Sequence, residues 1–267
     1  MRNSYLIAWA FVLAATPAFA QTPPATQTPQ TPPSQYEPRI GQAGKDVVWV
    51  PSPETTVEKM LDVAKVTPQD FVIDLGSGDG RNVIAAAKRG ARALGVEYNQ
   101  DMVELSKRNA AKEGLADRAT FVQGDMYEAD ISKATVLALF LLPDNLTKLR
   151  AKFAALPPGT RIAANTFGIE GWTPEETVEI TDNCQSWCSV MLYLVPAKVE
   201  GTWDTPQGPL TLKQTAQTVT GTLGATAIQN GRVRGEQFTF SVGSTQHSVR
   251  VQGASMAGSL AAKRAAQ

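Results

Sequence analysis

The segment Phe71-Val72-Ile73-Asp74-Leu75-Gly76-Ser77-Gly78-Asp79-Gly80-Arg81 constrains this chain more than any other. An apolar run ends in an acid, three glycines alternate with Ser77 and Asp79, and a helical pattern follows. That order reads as a buried strand, a tight turn and a helix start. Glycine there permits positive φ and lets a ligand approach the backbone, and the helix start leaves unpaired N–H groups over the turn. A dinucleotide fingerprint would need G-x-G-x-x-G with a diphosphate at the helix start. Here the spacing is G-x-G-x-G. Carboxylates at Asp74 and Asp79 would repel a diphosphate but suit a ligand carrying an ammonium or sulfonium charge.

The rest of the first half alternates strand and helix. Val83, Ile84 and Ala87 mark the inner face of a helix that stops at Gly90, and residues 93–97 form the next strand, ending in Glu97. In a βαβ unit an acid at that place reaches ribose hydroxyls, and a carboxylate can accept from both of them. Asn99 or Asp101 caps a helix that runs to about Glu113 and closes at Gly114. A third strand, residues 119–123, leads into Gly124-Asp125-Met126. Residues 135–142 are nearly all apolar, as a central parallel strand buried on both faces should be. Leu146, Leu149, Phe153 and Leu156 give a helix face, residues 161–166 a fifth strand, and 178–181 with 189–195 an antiparallel pair. The expected fold is α/β: a doubly wound, mostly parallel seven-strand sheet. Its ligand should lie beyond the carboxyl ends of the strands, where Asp74, Glu97 and Asp125 fall.

The run Asp74-Leu75-Gly76-Ser77-Gly78-Asp79-Gly80 resembles motif I of the class I, Rossmann-like, S-adenosylmethionine-dependent methyltransferases. That resemblance implies S-adenosylmethionine as cofactor. Asp74 with the backbone of Gly76, Ser77, Gly78 and Gly80 would hold its methionyl part, Glu97 its ribose, and Asp125 with Met126 its adenine. Upstream, Val50-Pro51-Ser52-Pro53 leads into an amphipathic helix on Val57, Met60, Leu61 and Ala64, with Ser52 expected as N-cap and Pro53 at the first helical position. This lead-in is similar to a group that includes mitochondrial protein-lysine methyltransferases, which implies an amine acceptor such as a protein lysine. Relatives acting on amines often carry Asn/Asp-Pro-Pro-aromatic at the fourth strand end. Here the run is Phe140-Leu141-Leu142-Pro143, with no polar side chain before the proline, so no catalytic residue is assigned.

Composition sets the frame around that domain. Residues 1–20 carry Arg2, an apolar core, Pro17 and an Ala18-Phe19-Ala20 cleavage pattern, a secretory signal too short to persist as a membrane span. Residues 21–46 are a Pro/Thr/Gln-rich linker, residues 47–197 the methyltransferase domain, residues 198–260 a small antiparallel β domain, and 261–267 a tail expected to be disordered. In the β domain Asn230-Gly231 signals a two-residue hairpin. The expected location is exported, periplasmic or secreted, where Cys184 and Cys188 could form a disulfide. Net charge is +0, which offers no basic footprint for nucleic acid, and the one histidine, His247, leaves little for a His-ligated metal. Export raises a second reading, because the cofactor must then be available outside the cytoplasm. In it the chain keeps the methyltransferase fold as a catalytically inactive binding or scaffold protein of the cell envelope.

Overall fold

The computed structural model describes Met1, residues 36–182 and residues 184–266. The expected signal peptide beyond Met1 and the linker up to residue 35 lie outside the described residues. Among the described residues no helix is long and apolar enough to cross a membrane.

β1 (Phe71–Leu75), β2 (Arg92–Glu97) and β3 (Ala119–Gln123) pair in parallel, with Ile73 opposite Leu94 and Gly95 opposite Phe121. β4 (Val136–Leu139) and β5 (Arg161–Asn165) continue the parallel sheet on the other side of β1. β6 (Glu176–Glu179) and β7 (Ser189–Leu194) run antiparallel, so the order is β3-β2-β1-β4-β5-β7-β6. The direction of winding reverses between β1 and β4, and a ligand crevice opens at such a switch.

Alternation along the strands feeds two cores. Val72, Val136 and Ala138 face a layer with Val57, Met60, Val83 and Val103, brought by α1 (Glu54–Val63), α2 (Arg81–Lys88) and α3 (Gln100–Lys112). Ile73, Leu137 and Leu139 face the opposite layer with Leu146, Leu149 and Phe153 of α4 (Pro143–Ala154). Each such side chain contributes about 1.5–3 kcal/mol when fully buried, which is why β4 tolerates no polar position. β4 is shorter than the expected strand over 135–142, because Pro143 is pre-set for the first turn of α4 and Leu142 becomes its cap.

At α1 the expected cap is replaced. Pro53 holds the N-cap position, with no side-chain cap bond. Ser52 is buried and its Oγ accepts from Asn165 Nδ2 at 3.2 Å, while its carbonyl accepts from Arg81 at 2.5 Å. A tertiary contact has taken the hydroxyl that a helix end would otherwise use.

The second half is a closed barrel in simple up-and-down order. Its strands are β8 (Gly201–Asp204), β9 (Leu210–Thr215), β10 (Thr218–Leu223), β11 (Thr226–Arg234), β12 (Gln237–Val242), β13 (Thr245–Gln252), β14 (Ser255–Gly258) and β15 (Ala262–Arg264). Trp203, Leu212, Phe238, Phe240 and Val249 fill the interior. Two expectations are corrected here. Asn230-Gly231 is not a hairpin turn but lies within β11, where the register shifts between Gln229 and Arg232 and Asn230 takes φ 53°. A Cβ on Gly231 would sit 2.2 Å from the Val219 carbonyl oxygen, so the glycine serves close backbone approach at a bulge. Residues 262–264 of the expected tail close the barrel by pairing Lys263 with Asp204 and Arg264 with Trp203. Arg264 stacks its guanidinium 4.3 Å from the Trp203 ring centre and donates to the Glu200 and Lys198 carbonyls, anchors that no apolar pattern announces.

Polar contacts seat the barrel on the sheet domain. Glu175 accepts from Arg232 at 3.2 Å and Arg234 at 2.8 Å. Gln217 accepts from the Thr173 N–H at 3.2 Å and donates to the Thr173 carbonyl at 3.1 Å.

Candidate active site

The turn after β1 is built by three glycines at φ 74°, 55° and 85°, Gly76, Gly78 and Gly80. Four of its amides are spent internally. Gly76 and Ser77 donate to the Val96 carbonyl at 2.8 and 3.1 Å, Gly78 to Glu97 Oε2 at 2.9 Å, and Gly80 to the Ser77 carbonyl at 2.9 Å. At Gly76, Ser77, Gly78 and Gly80 the turn therefore offers bare backbone rather than donors. A Cβ on Gly78 would lie 2.6 Å from Trp49 Nε1, whereas one on Gly76 meets Leu141 only at 3.5 Å, an ordinary contact.

Asp74 is buried at the strand end and accepts from Asn82 Nδ2 at 3.1 Å. Burial pushes its carboxyl well above the usual range; the Asn82 bond opposes this, while Glu97 and Asp79 add to it. Asp79, in contrast, is neutralised by a two-pronged pair with Arg81, at 2.9 and 2.5 Å. Glu97 accepts from the Gly78 and Asn99 amides through separate oxygens, each at 2.9 Å, which fixes its plane and leaves lone pairs outward. Among the described residues neither Asp74 nor Glu97 pairs with a lysine or arginine.

Asp125 does have a cation. Lys45, from the segment expected to be linker, pairs with its Oδ2, and Tyr127 N–H donates to its Oδ1 at 2.9 Å. The Lys45 contact is the main reason the Asp125 carboxyl lies below its usual range. Lys45 also lies 5.4 and 5.7 Å from the Tyr98 and Tyr127 ring centres. Residues 42–50 thus wall the cleft from outside, facing Gly76, Val96, Met102, Met126 and Leu141. A larger hollow of about 740 Å³ between α4 and the barrel shares none of these residues.

The structure brings Gly76, Glu97, Asp125 and Met126 into one cleft lining. Asp74, Ser77, Gly78 and Gly80 form the floor and turn behind it. The sequence reading missed Lys45, Trp49, Asn82 and Ser106. Ser106 is buried on the apolar face of α3 and donates to the Gly78 carbonyl at 2.8 Å. A polar residue on that otherwise apolar face was the available signal.

The donor set fits S-adenosylmethionine. A cationic ligand complements Asp74 and Glu97. Among the described residues Ser77 Oγ and Asn82 Oδ1 are buried atoms with no hydrogen-bond partner, and such atoms call for one. Val96, Met126 and Leu141 supply an apolar wall for a ring.

Fold and cleft define a class I methyltransferase, and comparison with known proteins agrees. A family model described as the ANTKMT methyltransferase domain matches residues 74–176. A protein-lysine N-methyltransferase of Saccharolobus islandicus is 41% identical over 152 residues, covering 56% of this chain and 94% of that one. The adenine nucleotide translocase lysine N-methyltransferase of Mus musculus is 33% identical over 134 residues, covering 49% of this chain and 58% of that enzyme. A solved structure of an RNA methyltransferase from Salinibacter ruber in complex with S-adenosyl-L-homocysteine is 42% identical, with TM-score 0.53, covering 56% of this chain and 96% of that one. The chain belongs to the class I S-adenosylmethionine-dependent methyltransferases, in the protein-lysine methyltransferase group.

Proposed function

We propose that this chain transfers a methyl group from S-adenosylmethionine to a lysine amine of a protein, and that it does so after export. The observation that carries the reading is the cleft at the carboxyl ends of β1, β2 and β3, where Asp74 and Glu97 pair with no lysine or arginine among the described residues. When bound there, the cofactor supplies an electrophilic methyl group on a sulfonium. Asp74 and the bare backbone at Gly76 would face its methionyl end, with Ser77, Gly78 and Gly80 shaping the turn behind, Glu97 would hold its ribose, and Asp125 with Met126 its adenine. The acceptor amine gives its proton to water, since a lysine near pKa 10.4 must be neutral to attack. The cofactor would supply the methyl carbon to that nitrogen, its sulfur leaving with the C–S electron pair as a neutral thioether. A general base is not required, because burial beside a sulfonium favours the neutral amine. Positioning then carries much of the acceleration.

The names of the Saccharolobus and mouse relatives support lysine. The Salinibacter neighbour's description favours RNA as the competing acceptor. The Cys184–Cys188 disulfide supports an oxidising compartment. The test is transfer of labelled methyl from S-adenosylmethionine to envelope protein and to total RNA by the chain beginning at Gln21. Label on lysine, absent from envelope protein of a strain lacking the chain until enzyme is added, is the expected result. Label on RNA alone would move the acceptor. Binding of S-adenosylhomocysteine with no transfer to any extract would favour the inactive binding protein.

A further inference from the structure

Three aromatic side chains meet where the strands of the cofactor cleft end. Phe140 follows β4 directly, Phe167 stands two residues beyond β5, and Trp187 precedes β7. Their ring centres are 6.3 Å apart for Phe140 and Phe167, 5.5 Å for Phe140 and Trp187, and 5.8 Å for Phe167 and Trp187. The first two rings are nearly parallel, at 7°, and the indole is tilted by 56° and 52° against them. All three are half-buried, unlike Phe153 and Tyr193, which are sealed in the core. Phe140 also lines the cofactor cleft itself.

The backbone around this triad is held under strain. Thr166, next to Phe167, has φ 63°, and Trp187 has φ 60°, a left-handed conformation that costs a residue with a Cβ about 1–2 kcal/mol. Such conformations persist only where surrounding structure enforces them, and they gather at functional sites. Here the enforcing contacts are visible. The Cys184–Cys188 disulfide closes the loop around Trp187, and buried Thr56 donates its hydroxyl to the Trp187 carbonyl at 3.1 Å.

On the methyltransferase reading above, we infer that Phe140, Phe167 and Trp187 form the subsite for the acceptor's lysine or methyl-lysine head, and that the disulfide positions the third wall. At the strand end where methyltransferases acting on amines often carry Asn or Asp before a proline, this chain has Leu142 before Pro143, so no carboxamide stands there. An aromatic enclosure answers that lack in two ways: it strips water from the lysine stem, and its ring faces attract the positive charge that develops on nitrogen. A cation seated against the triad lies within about 6 Å of all three ring centres, the range over which that attraction acts.

The probe is Nα-acetyl-Nε-trimethyl-lysine amide, with its neutral tert-butyl carbon isostere as control, titrated into the full mature chain with and without S-adenosylhomocysteine. The wild type should bind the cation at least fivefold more tightly than the isostere. Trp187→Leu should bring that ratio to about one, Trp187→Phe should restore part of it, and Cys184→Ala with Cys188→Ala should weaken the cation severalfold. S-adenosylhomocysteine affinity should be equal in all four proteins, which also shows that each has folded. No cation binding by the wild type, equal binding of cation and isostere, or a ratio unmoved by Trp187→Leu overturns the inference. Failure of S-adenosylhomocysteine to bind would instead overturn the cofactor reading, and the probe titration without it is read independently.

Discussion

Asp74 is the residue on which charge and burial disagree most. Desolvation favours its protonated form in the free protein, whereas a cationic cofactor favours the carboxylate. Cofactor binding should therefore release a proton, and affinity should rise with pH as Asp74 ionises. The folded protein without cofactor binds this proton more readily than the unfolded chain, so its stability should fall as pH climbs from the ordinary carboxylate range through the raised folded value. Asp74→Asn should abolish the proton release, stabilise the free protein at neutral pH and weaken S-adenosylmethionine by about tenfold or more, as a charge-assisted bond of about 1.5–3 kcal/mol implies. Calorimetry in buffers of different ionisation enthalpy reads all but the stability; unchanged affinity would place Asp74 away from the ligand. Lys45 makes the opposite case. It already occupies the carboxylate assigned to adenine, and exposed pairs of this kind are weak. Lys45→Met keeps the stem against Tyr98 and Tyr127 while freeing Asp125. It should tighten the cofactor by no more than about fivefold, and a tenfold loss would instead make Lys45 part of the binding site.

At the scale of elements, the sheet carries its function at one end and a fastening at the other. Asp70, just before β1, accepts from Thr67 N–H at 2.7 Å, Thr67 Oγ1 at 3.0 Å and Thr135 Oγ1 at 2.7 Å, and pairs with Arg161 at the start of β5. Burial raises its pKa, but the bonds from Thr135, Thr67 and Arg161 together win, and the carboxyl lies below its usual value. Its stabilisation should be present above the unfolded pKa near 3.8 and vanish as pH falls through the lower folded value. Asp70→Ala should cost about 2–4 kcal/mol in urea unfolding at neutral pH, less at pH 3, with cofactor affinity unchanged; equal loss at both pH values would refute the ionic account. The strands around this fastening were legible because β1 and β4 are short apolar runs bounded by turn residues, and the alternation of strand and helix put Asp74, Glu97 and Asp125 at successive strand ends. The use of the turn's amides was not legible, because their acceptors are the Val96 carbonyl and Glu97 across β2. Ser52 was misread for the same reason: local chemistry says cap, and Asn165, far along the chain, decides otherwise.

At the scale of the molecule, the barrel contributes no residue to the lining of the cleft. Alternation after Lys198 announced antiparallel strands, but closure depends on bulges and on Arg264 over Trp203, which leave no periodic trace. The Lys45 strap and the aromatic triad were hidden likewise, each being assembled from distant positions. Among the contacts that join barrel to sheet domain is Glu175, whose side chain is only 6% exposed, against Arg232 and Arg234 at 43% and 63%. This asymmetry makes a directional prediction. Glu175→Gln leaves two arginines that water can solvate, so the loss should be about 1 kcal/mol or less. Arg232→Ala with Arg234→Ala leaves a buried carboxylate without a cation, and the loss should be about 2–4 kcal/mol, at the low end of buried-pair deletions because water reaches this edge. Adding Glu175→Gln to that double variant should then restore most of the stability, a coupling that additive losses cannot produce. Urea unfolding of the four proteins measures it, alongside S-adenosylmethionine affinity, which should stay constant because the cleft draws its lining from residues 42–141. A triple variant no more stable than the double would mean that the carboxylate is not the cost, and that the arginines hold the barrel through other contacts.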